Sequence, residues 1–410
     1  QELIATLRGA GEAALGGQQG GVLLSGGQRS AAIAALLPGT PVRTYAVGYG
    51  AGADHTLAGA RQLARLLGTE HRDHRVDAAE VADAIPRLAA AFDQPQGDPA
   101  VLAAFHGAAL AHADGAQRLL AGHGGAELFG GRQYYARQAR LSQYEKIPSA
   151  LRQTLVEPLL FQLAGNAGGA PLRRARRYIE QALLGLPGRL DAVNLLHGYA
   201  SAEVFEPAFL AGVDPTAPTA MLSHSWWLAD GASQVNQLIA LDMQYALADQ
   251  QLPAVARACE LAGIEARFPF LADAVVAFSA RLSPQQKLDG VRLSPFLRAA
   301  LRGTVPRKTE RPAAAAPFGH WLQTEPRIRG LAYDSLAGLK RRGIVRAGFI
   351  DTLLTTRMAQ NPAWHGRMVW LLMMLEQWFS QRRFRTLHAP MIRKSADEPQ
   401  ACGQSVRQGR

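Results

Sequence analysis

The sequence predicts an α/β protein, a doubly wound parallel sheet followed by a mostly helical second half. Three observations carry that expectation. Over residues 1 to 145, short apolar runs alternate with helical patterns of about ten to fifteen residues, the signature of βαβ units. The first apolar run ends in Ser25-Gly26-Gly27 and passes straight into an Ala-rich helix. Past residue 150 the strand signals fade and long amphipathic stretches take over.

Taken in order, Gly21-Val22-Leu23-Leu24 reads as a short buried strand leading into a helix over Ser30 to Leu37. Thr44 to Tyr49 reads as a second strand, followed by a helix over Thr56 to Leu67 that Gly68 stops. His74-Arg75-Val76 suits a third strand, and Ala78 to Phe92 a helix. A Pro- and Gly-rich loop from Asp93 to Pro99 precedes a helix over Ala100 to Ala113 and a fourth strand at Gln117 to Ala121. In this architecture ligands sit beyond the carboxyl ends of the strands, where Ser25 to Ser30 and Gly122 to Gly131 fall. Amphipathic stretches at Arg174 to Leu184, Ala232 to Ala248 and Arg367 to Phe379 make the second half helical, and Trp370, Leu371, Met374 and Trp378 read as core. The last twenty residues, Met391 to Arg410, are polar and lack periodicity, which predicts a disordered tail. No internal repeat is found.

Bulk properties narrow the class. A 410-residue chain that is 48% hydrophobic can bury a sizeable core. There is no apolar run long enough to span a membrane, and the N-terminus lacks a secretory signal; it also lacks an initiator Met, as a trimmed or processed chain does. Cys259 and Cys402 are far apart without metal-ligand spacing, which argues against a disulfide framework or zinc site and makes a reduced, cytoplasmic setting the expectation. A net charge of +11 raises the question of nucleic acid. The Arg pairs (Arg173-Arg174, Arg176-Arg177, Arg341-Arg342, Arg382-Arg383) are spread along the chain with little aromatic interleaving, so they read as solvated helix faces and nucleic acid is set aside.

A strand that delivers Ser-Gly-Gly to the first turn of a helix is a recipe for binding an anion, because glycines admit close approach and the helix dipole favours negative charge. By itself the turn is equally compatible with a packing role. Further segments then follow in order: Gly68-Thr69-Glu70-His71, Asp93-Gln94-Pro95 with Asp98-Pro99, and Gly122-His123-Gly124-Gly125-Ala126-Glu127-Leu128-Phe129-Gly130-Gly131. Later come Leu241-Asp242, Asp249, Arg257, Gly263-Ile264-Glu265-Ala266-Arg267-Phe268-Pro269-Phe270-Leu271, Lys287-Leu288, Arg311-Pro312 and Trp321-Leu322. From about residue 2 to 385, this series resembles the synthetase domain of the asparagine synthetase family, a PP-loop ATP pyrophosphatase fold shared with β-lactam synthetases and lasso-peptide cyclases.

The resemblance implies one synthetase-like domain over residues 1–390, with an α/β PP-loop part at 1–145 and a mainly helical part at 146–390. The N-terminal glutaminase domain of family members has no counterpart here, which suggests a split gene product or a fragment. Implied cofactors are ATP and Mg²⁺, and the implied chemistry is carboxylate activation as an acyl-adenylate followed by attack of an amine. Ser25, Gly26, Gly27, Arg29, Ser30, Val47, Gly48, Gly122, His123, Gly124 and Glu127 map onto nucleotide- or anion-binding positions. Glu265, with Tyr134 or Tyr135, matches a Tyr and Glu pair that assists proton transfer in the cyclising members; a purely structural role, with Glu265 paired to Arg267, remains open beside it.

The sequence also departs from the family. Arg29 and His123 stand where the family has magnesium-binding aspartates, so no metal ligand is assigned. Ala126 replaces a commonly acidic residue, Ala254-Val255-Ala256-Arg257 stands for Lys-Val-Asp-Arg, and Ala313 to Ala316 stand where Lys-Lys-Gly-Phe is usual. Each lost electrostatic group costs on the order of 10²- to 10³-fold in rate. The reading is a degenerate member, a pseudoenzyme or weakly active partner in an amidotransferase or peptide-tailoring pathway. Its expected associates are a separate glutaminase or an intact family member, with a peptide or carboxylate as substrate. The alternative is an active ligase in which Asp93, Asp98 and Glu127 serve as relocated ligands. Arg29 itself either receives a phosphate or carboxylate in place of the metal or pairs with a nearby carboxylate and closes the pocket.

Overall fold

The computed structural model describes residues 1–37, 42–158, 170–191, 194–229, 232–306 and 316–382. The expectations for Arg311-Pro312, for Ala313 to Ala315 and for the tail from Met391 lie outside those residues.

The chain opens with helix α1 (Glu2–Leu15), then strand β1 (Gly20–Leu23), helix α2 (Gln28–Leu36) and strand β2 (Arg43–Tyr49). Helix α3 (Ala53–Leu67) follows, stopped by Gly68 at φ 66°, then strand β3 (Glu70–Val76) and helix α4 (Ala78–Ala91). Asp77 caps α4 by accepting from the Glu80 N–H while the Glu80 side chain accepts from the Asp77 N–H, a reciprocal box that fixes the start of the helix. Helix α5 (Val101–Ala113) and strand β4 (Arg118–Leu120) complete the first part.

The sheet has five parallel strands in the order β3-β2-β1-β4-β5, its last member being β5 (Glu265–Arg267). Chain order reverses between β1 and β4, so the crevice outside their carboxyl ends is the topological switch point. The sequence does not announce β5, which is three residues long with charged ends. β3 runs four residues further toward its amino end than expected; Glu70-His71-Arg72-Asp73 is a polar edge strand without apolar alternation. The Gly68-Thr69-Glu70-His71 landmark has a structural use there, with Thr44 Oγ1 bonding Thr69 Oγ1 at 3.0 Å and His71 Nδ1 at 2.9 Å.

Period-two alternation sends β2 residues Tyr45, Val47 and Tyr49 to one face and Ala46 to the other, against α3. The first face packs on α4, α5 and the C-terminal helices Pro326–Lys340 and Pro362–Gln381, where Trp370, Met373 and Met374 are fully buried. On the opposite face, Val22 and Leu24 meet α1 and α2. Beyond the sheet, Gln234–Leu241 is α-helical, Asp242–Gln251 is a ten-residue π-helix, and Leu252–Leu261 returns to α. No helix among the described residues is long and apolar enough to cross a membrane.

Candidate functional site

Two loops meet at the switch point. The first leaves β1 through Ser25, Gly26 and Gly27; Gly26 lies at φ 76°, which a residue with a Cβ rarely adopts, and this turn points the chain into α2. Gly27 is the N-cap of α2 and brings no side-chain cap, while Ser30 Oγ donates to the Gly27 carbonyl at 3.1 Å and lies 3.2 Å from Ser25 Oγ. The second loop leaves β4 at Ala121 and enters the one-turn helix α6 (Gly125–Leu128) and then α7 (Gln133–Glu145). It presses on the first so closely that a Cβ on Gly122 would stand 3.1 Å from the Ser30 nitrogen. Between and above them is a cavity of about 700 Å³, within the usual range for small-molecule sites.

The cavity has a polar end and an apolar wall. Ser25, Gly27, Arg29, Ser30, His123, Glu127 and Arg132 form the former; Leu23, Val101, Ala104, Ala254 and Val255 contribute to the latter. Arg29 lies along the glycines of the second loop. Added Cβ atoms would stand 3.0 Å from its Cβ at Gly122, 3.0 Å from its Cδ at Gly125 and 3.4 Å from its Nη1 at Gly131. Arg29 makes no ion pair within 4 Å among the described residues. Burial pushes its pKa below the ordinary arginine value, with Glu127 opposing and Arg132 adding to that effect.

Arg132 is engaged differently. Its Nη1 donates to Glu127 Oε1 at 3.1 Å, and its Nε stands 3.1 Å from Asp242 Oδ2. Burial works against the Arg132 charge, but Asp242 and Glu127 outweigh it and hold its pKa up. Asp242 is itself raised, chiefly by desolvation and against the pull of Arg132. The hydroxyls of Tyr134 and Tyr135 face the same carboxylate, and burial first, then the Asp242 charge, pushes both phenols far up. The His123 imidazole is driven down by burial, with Glu127 and Asp98 opposing and Arg29 reinforcing; its Nδ1 is buried without a hydrogen-bond partner among the described residues.

The structure thus gathers Ser25, Gly27, Arg29, Ser30, Gly122, His123, Glu127 and Tyr134 around one cavity. Gly26 and Gly124 shape its loops, with Gly124 at φ 86° packed on Leu271. Tyr135 is fully buried behind Tyr134. Val47 and Gly48 lie inside β2 and are not part of the lining; Gly48 is where α3 crosses, a Cβ there standing 2.9 Å from Ala53 Cα. Glu265 also stands apart, at the amino end of β5, where it pairs with Arg118 Nε at 3.0 Å and Arg267 Nη2 at 2.5 Å. Sequence reasoning overlooked Arg132, Gln250 and Gln251, and it quoted Asp242 only as part of the Leu241-Asp242 landmark without a place in the site. The signals were that Arg132 directly follows Gly130-Gly131 and that Asp242 belongs to that landmark; their pairing depends on the start of the π-helical run reaching the second loop.

Magnesium, implied by the family resemblance, needs convergent carboxylate oxygens and waters. Among the described residues no three His, Cys, Asp or Glu side chains converge in metal-binding positions. Glu127 is occupied by Arg132, and Arg29 brings positive charge to the seam between the loops. Asp93 lies out at the surface, within 4 Å of Arg257 and Arg382. These residues do not fit a magnesium ion held between the two loops.

Comparison with known proteins identifies the family. The asparagine synthase family model matches residues 10–380. The chain is 23% identical over 374 residues to asparagine synthetase [glutamine-hydrolyzing] 1 of Bacillus subtilis, covering 88% of this chain and 56% of that protein. It is 26% identical over 363 residues to putative asparagine synthetases of Mycobacterium bovis and Mycobacterium tuberculosis, covering 87% of this chain and 54% of theirs. The chain therefore spans about half the length of the curated relatives it matches. With the fold, the switch-point cavity and the family match in agreement, this chain belongs to the asparagine synthase family.

Proposed function

We propose that this chain is an asparagine-synthetase-like protein whose magnesium–ATP site is degenerate, acting as a weakly active or non-catalytic partner in an ATP-dependent amide-forming pathway. The observation that carries the reading is the pair of arginines between the two loops. Arg29 stands where the family resemblance calls for an aspartate, and Arg132 occupies Glu127, the carboxylate nearest to replacing it. A divalent cation placed there would face a guanidinium instead of oxygen ligands. The partner is then a separate glutaminase or an intact family member that supplies the missing chemistry.

ATP–pyrophosphate exchange with Mg²⁺ and a panel of carboxylates tests this reading. The expected rate is at least about 100-fold below that of an intact family member assayed alongside, the loss of one preorganised electrostatic group being of that order. Robust Mg²⁺-dependent exchange overturns it. A second reading, an active amide ligase or peptide cyclase with relocated ligands, draws on Asp98. That carboxylate lines the cavity, accepts from the Ala100 N–H at 2.9 Å and makes no ion pair among the described residues. Under that reading exchange is present and is lost in Asp98→Asn.

A further inference from the structure

We propose that Arg29 makes the switch-point cavity a metal-independent site for a phosphate-type oxyanion, either free pyrophosphate or the phosphate end of a nucleotide. The inference rests on the reading of Arg29 as the group that replaced the metal ligand, and it adds what that replacement does. Of the two arginines lining the cavity, Arg132 is committed to Glu127 and Asp242, whereas Arg29 has no carboxylate within 4 Å among the described residues. A half-buried guanidinium without a counter-ion is costly unless an anion completes it, and its planar fork matches phosphate oxygens bidentately.

Three independent features converge on the same place. Ser25 and Ser30 present hydroxyls there, and the start of α2 has no side-chain cap, so its first N–H groups are open to an anion. His123 lines the cavity with Nδ1 buried and unpartnered, a group that can donate to an oxyanion in the appropriate tautomer. Gly122, Gly125 and Gly131 hold the Arg29 side chain extended against the second loop, so the guanidinium is positioned before any ligand arrives. Asp98 and Glu127 are the carboxylates that oppose an anion. Glu127 is neutralised by Arg132, which leaves Asp98 to disfavour anions bound away from Arg29. The wall of Leu23, Val101, Ala104 and Val255 offers apolar surface to an organic group carried by the phosphate.

Isothermal titration of the full chain with inorganic pyrophosphate in excess EDTA tests the proposal. Saturable binding is expected in wild type, unimproved by replacing EDTA with Mg²⁺, weakened at least about tenfold in Arg29→Gln and largely retained in Arg29→Lys. Parallel titrations with ATP and AMP distinguish the two sources of phosphate. Tighter binding of ATP than pyrophosphate assigns a nucleotide, and equal or weaker binding assigns the free oxyanion. Absence of binding in EDTA, binding that appears only with Mg²⁺, or equal affinity in wild type and Arg29→Gln overturns the proposal. If Arg29→Gln does not fold, pyrophosphate protection of wild type and Arg29→Lys against chemical denaturation in EDTA decides the same question: protection supports the site, and no protection of either protein overturns it. The outcomes separate this idea from the degenerate-site reading, because exchange activity overturns the latter alone and loss of EDTA-resistant binding overturns the former alone.

Discussion

Two arginine-rich places in the molecule resolve their charge in opposite ways. In the helical half, Arg342 donates through both Nε and Nη2 to the two oxygens of Glu376, the second bond at 2.9 Å, and Ser380 Oγ donates to the same carboxylate at 2.9 Å. The Glu376 side chain is only 7% exposed, and Gly338 clears the space for it, since a Cβ there would stand 2.7 Å from Oε1. This is one arginine for one carboxylate, with the carboxylate fully satisfied. At the switch point, Arg132 is stretched between two carboxylates, Asp242 Oδ2 contacts it without forming an aligned hydrogen bond, and Arg29 has no carboxylate partner among the described residues. A saturated pair holds helices together. An unsaturated set has capacity left for a ligand.

Substitutions can break this contrast. The largest effect is expected at Glu376→Ala, which leaves Arg342 uncompensated in the helical half. Removing one member of a fully buried pair costs about 3 to 5 kcal/mol; with Arg342 one-third exposed the cost falls toward the lower end of that range, so urea denaturation should show a lower midpoint while pyrophosphate binding by the folded protein is unchanged. An unaltered midpoint would mean the pair contributes nothing to holding the helices.

His106 sharpens the comparison from a third position, inside the main core. Its Nε2 has no hydrogen-bond partner among the described residues, it is 8% exposed, and it packs edge-on to Tyr49 and Phe105. Burial pulls its pKa from 6.5 down to about 4, with Glu80 and Asp77 opposing and His74 and Arg87 reinforcing. The unfolded chain takes up its proton near pH 6.5 and the folded chain only near 4, so more protons are bound unfolded in that window and stability falls as the pH drops through it. The loss amounts to roughly 3 kcal/mol at the acid end. His106→Leu should flatten that part of the stability–pH curve, and an unchanged slope would assign the acid sensitivity elsewhere.

The smallest stability effect is expected at Arg29→Gln. Deleting an unpaired, half-buried charge should leave stability unchanged or raise it by less than about 1 kcal/mol. The same substitution should cost pyrophosphate affinity. A large loss of stability would place Arg29 with Arg342 as a structural residue and erase the contrast.

The sheet and its glycine loops were legible because apolar runs, turn glycines and helical periods are local in sequence. Ser25, Gly27, Arg29, Ser30, Gly122, His123 and Glu127 could be placed together for that reason, since each follows directly from a strand end. The remainder depended on long-range pairing. Arg132 has meaning only once Asp242 arrives from the second half, and Glu265 gave a family motif but no hint that its strand would turn the carboxylate toward Arg118. β5 became a strand because β4 offers an unpaired edge, whereas its own three residues carry almost no strand signal.

The π-helical run from Asp242 to Gln251 has a consequence that is a matter of chain length rather than residue type. Asp242 meets Arg132 at one end of the run, and Gln250 and Gln251 reach the cavity at the other. A π turn takes up more residues than the roughly 3.6 of an α-helix, so letting this run relax to α at unchanged length would rotate everything downstream relative to Asp242. The two glutamines would leave the cavity even though no side chain had changed. Phase along this helix is therefore as much a specificity determinant as the composition of the pocket wall, and insertions or deletions here are the ones to watch when relatives are compared.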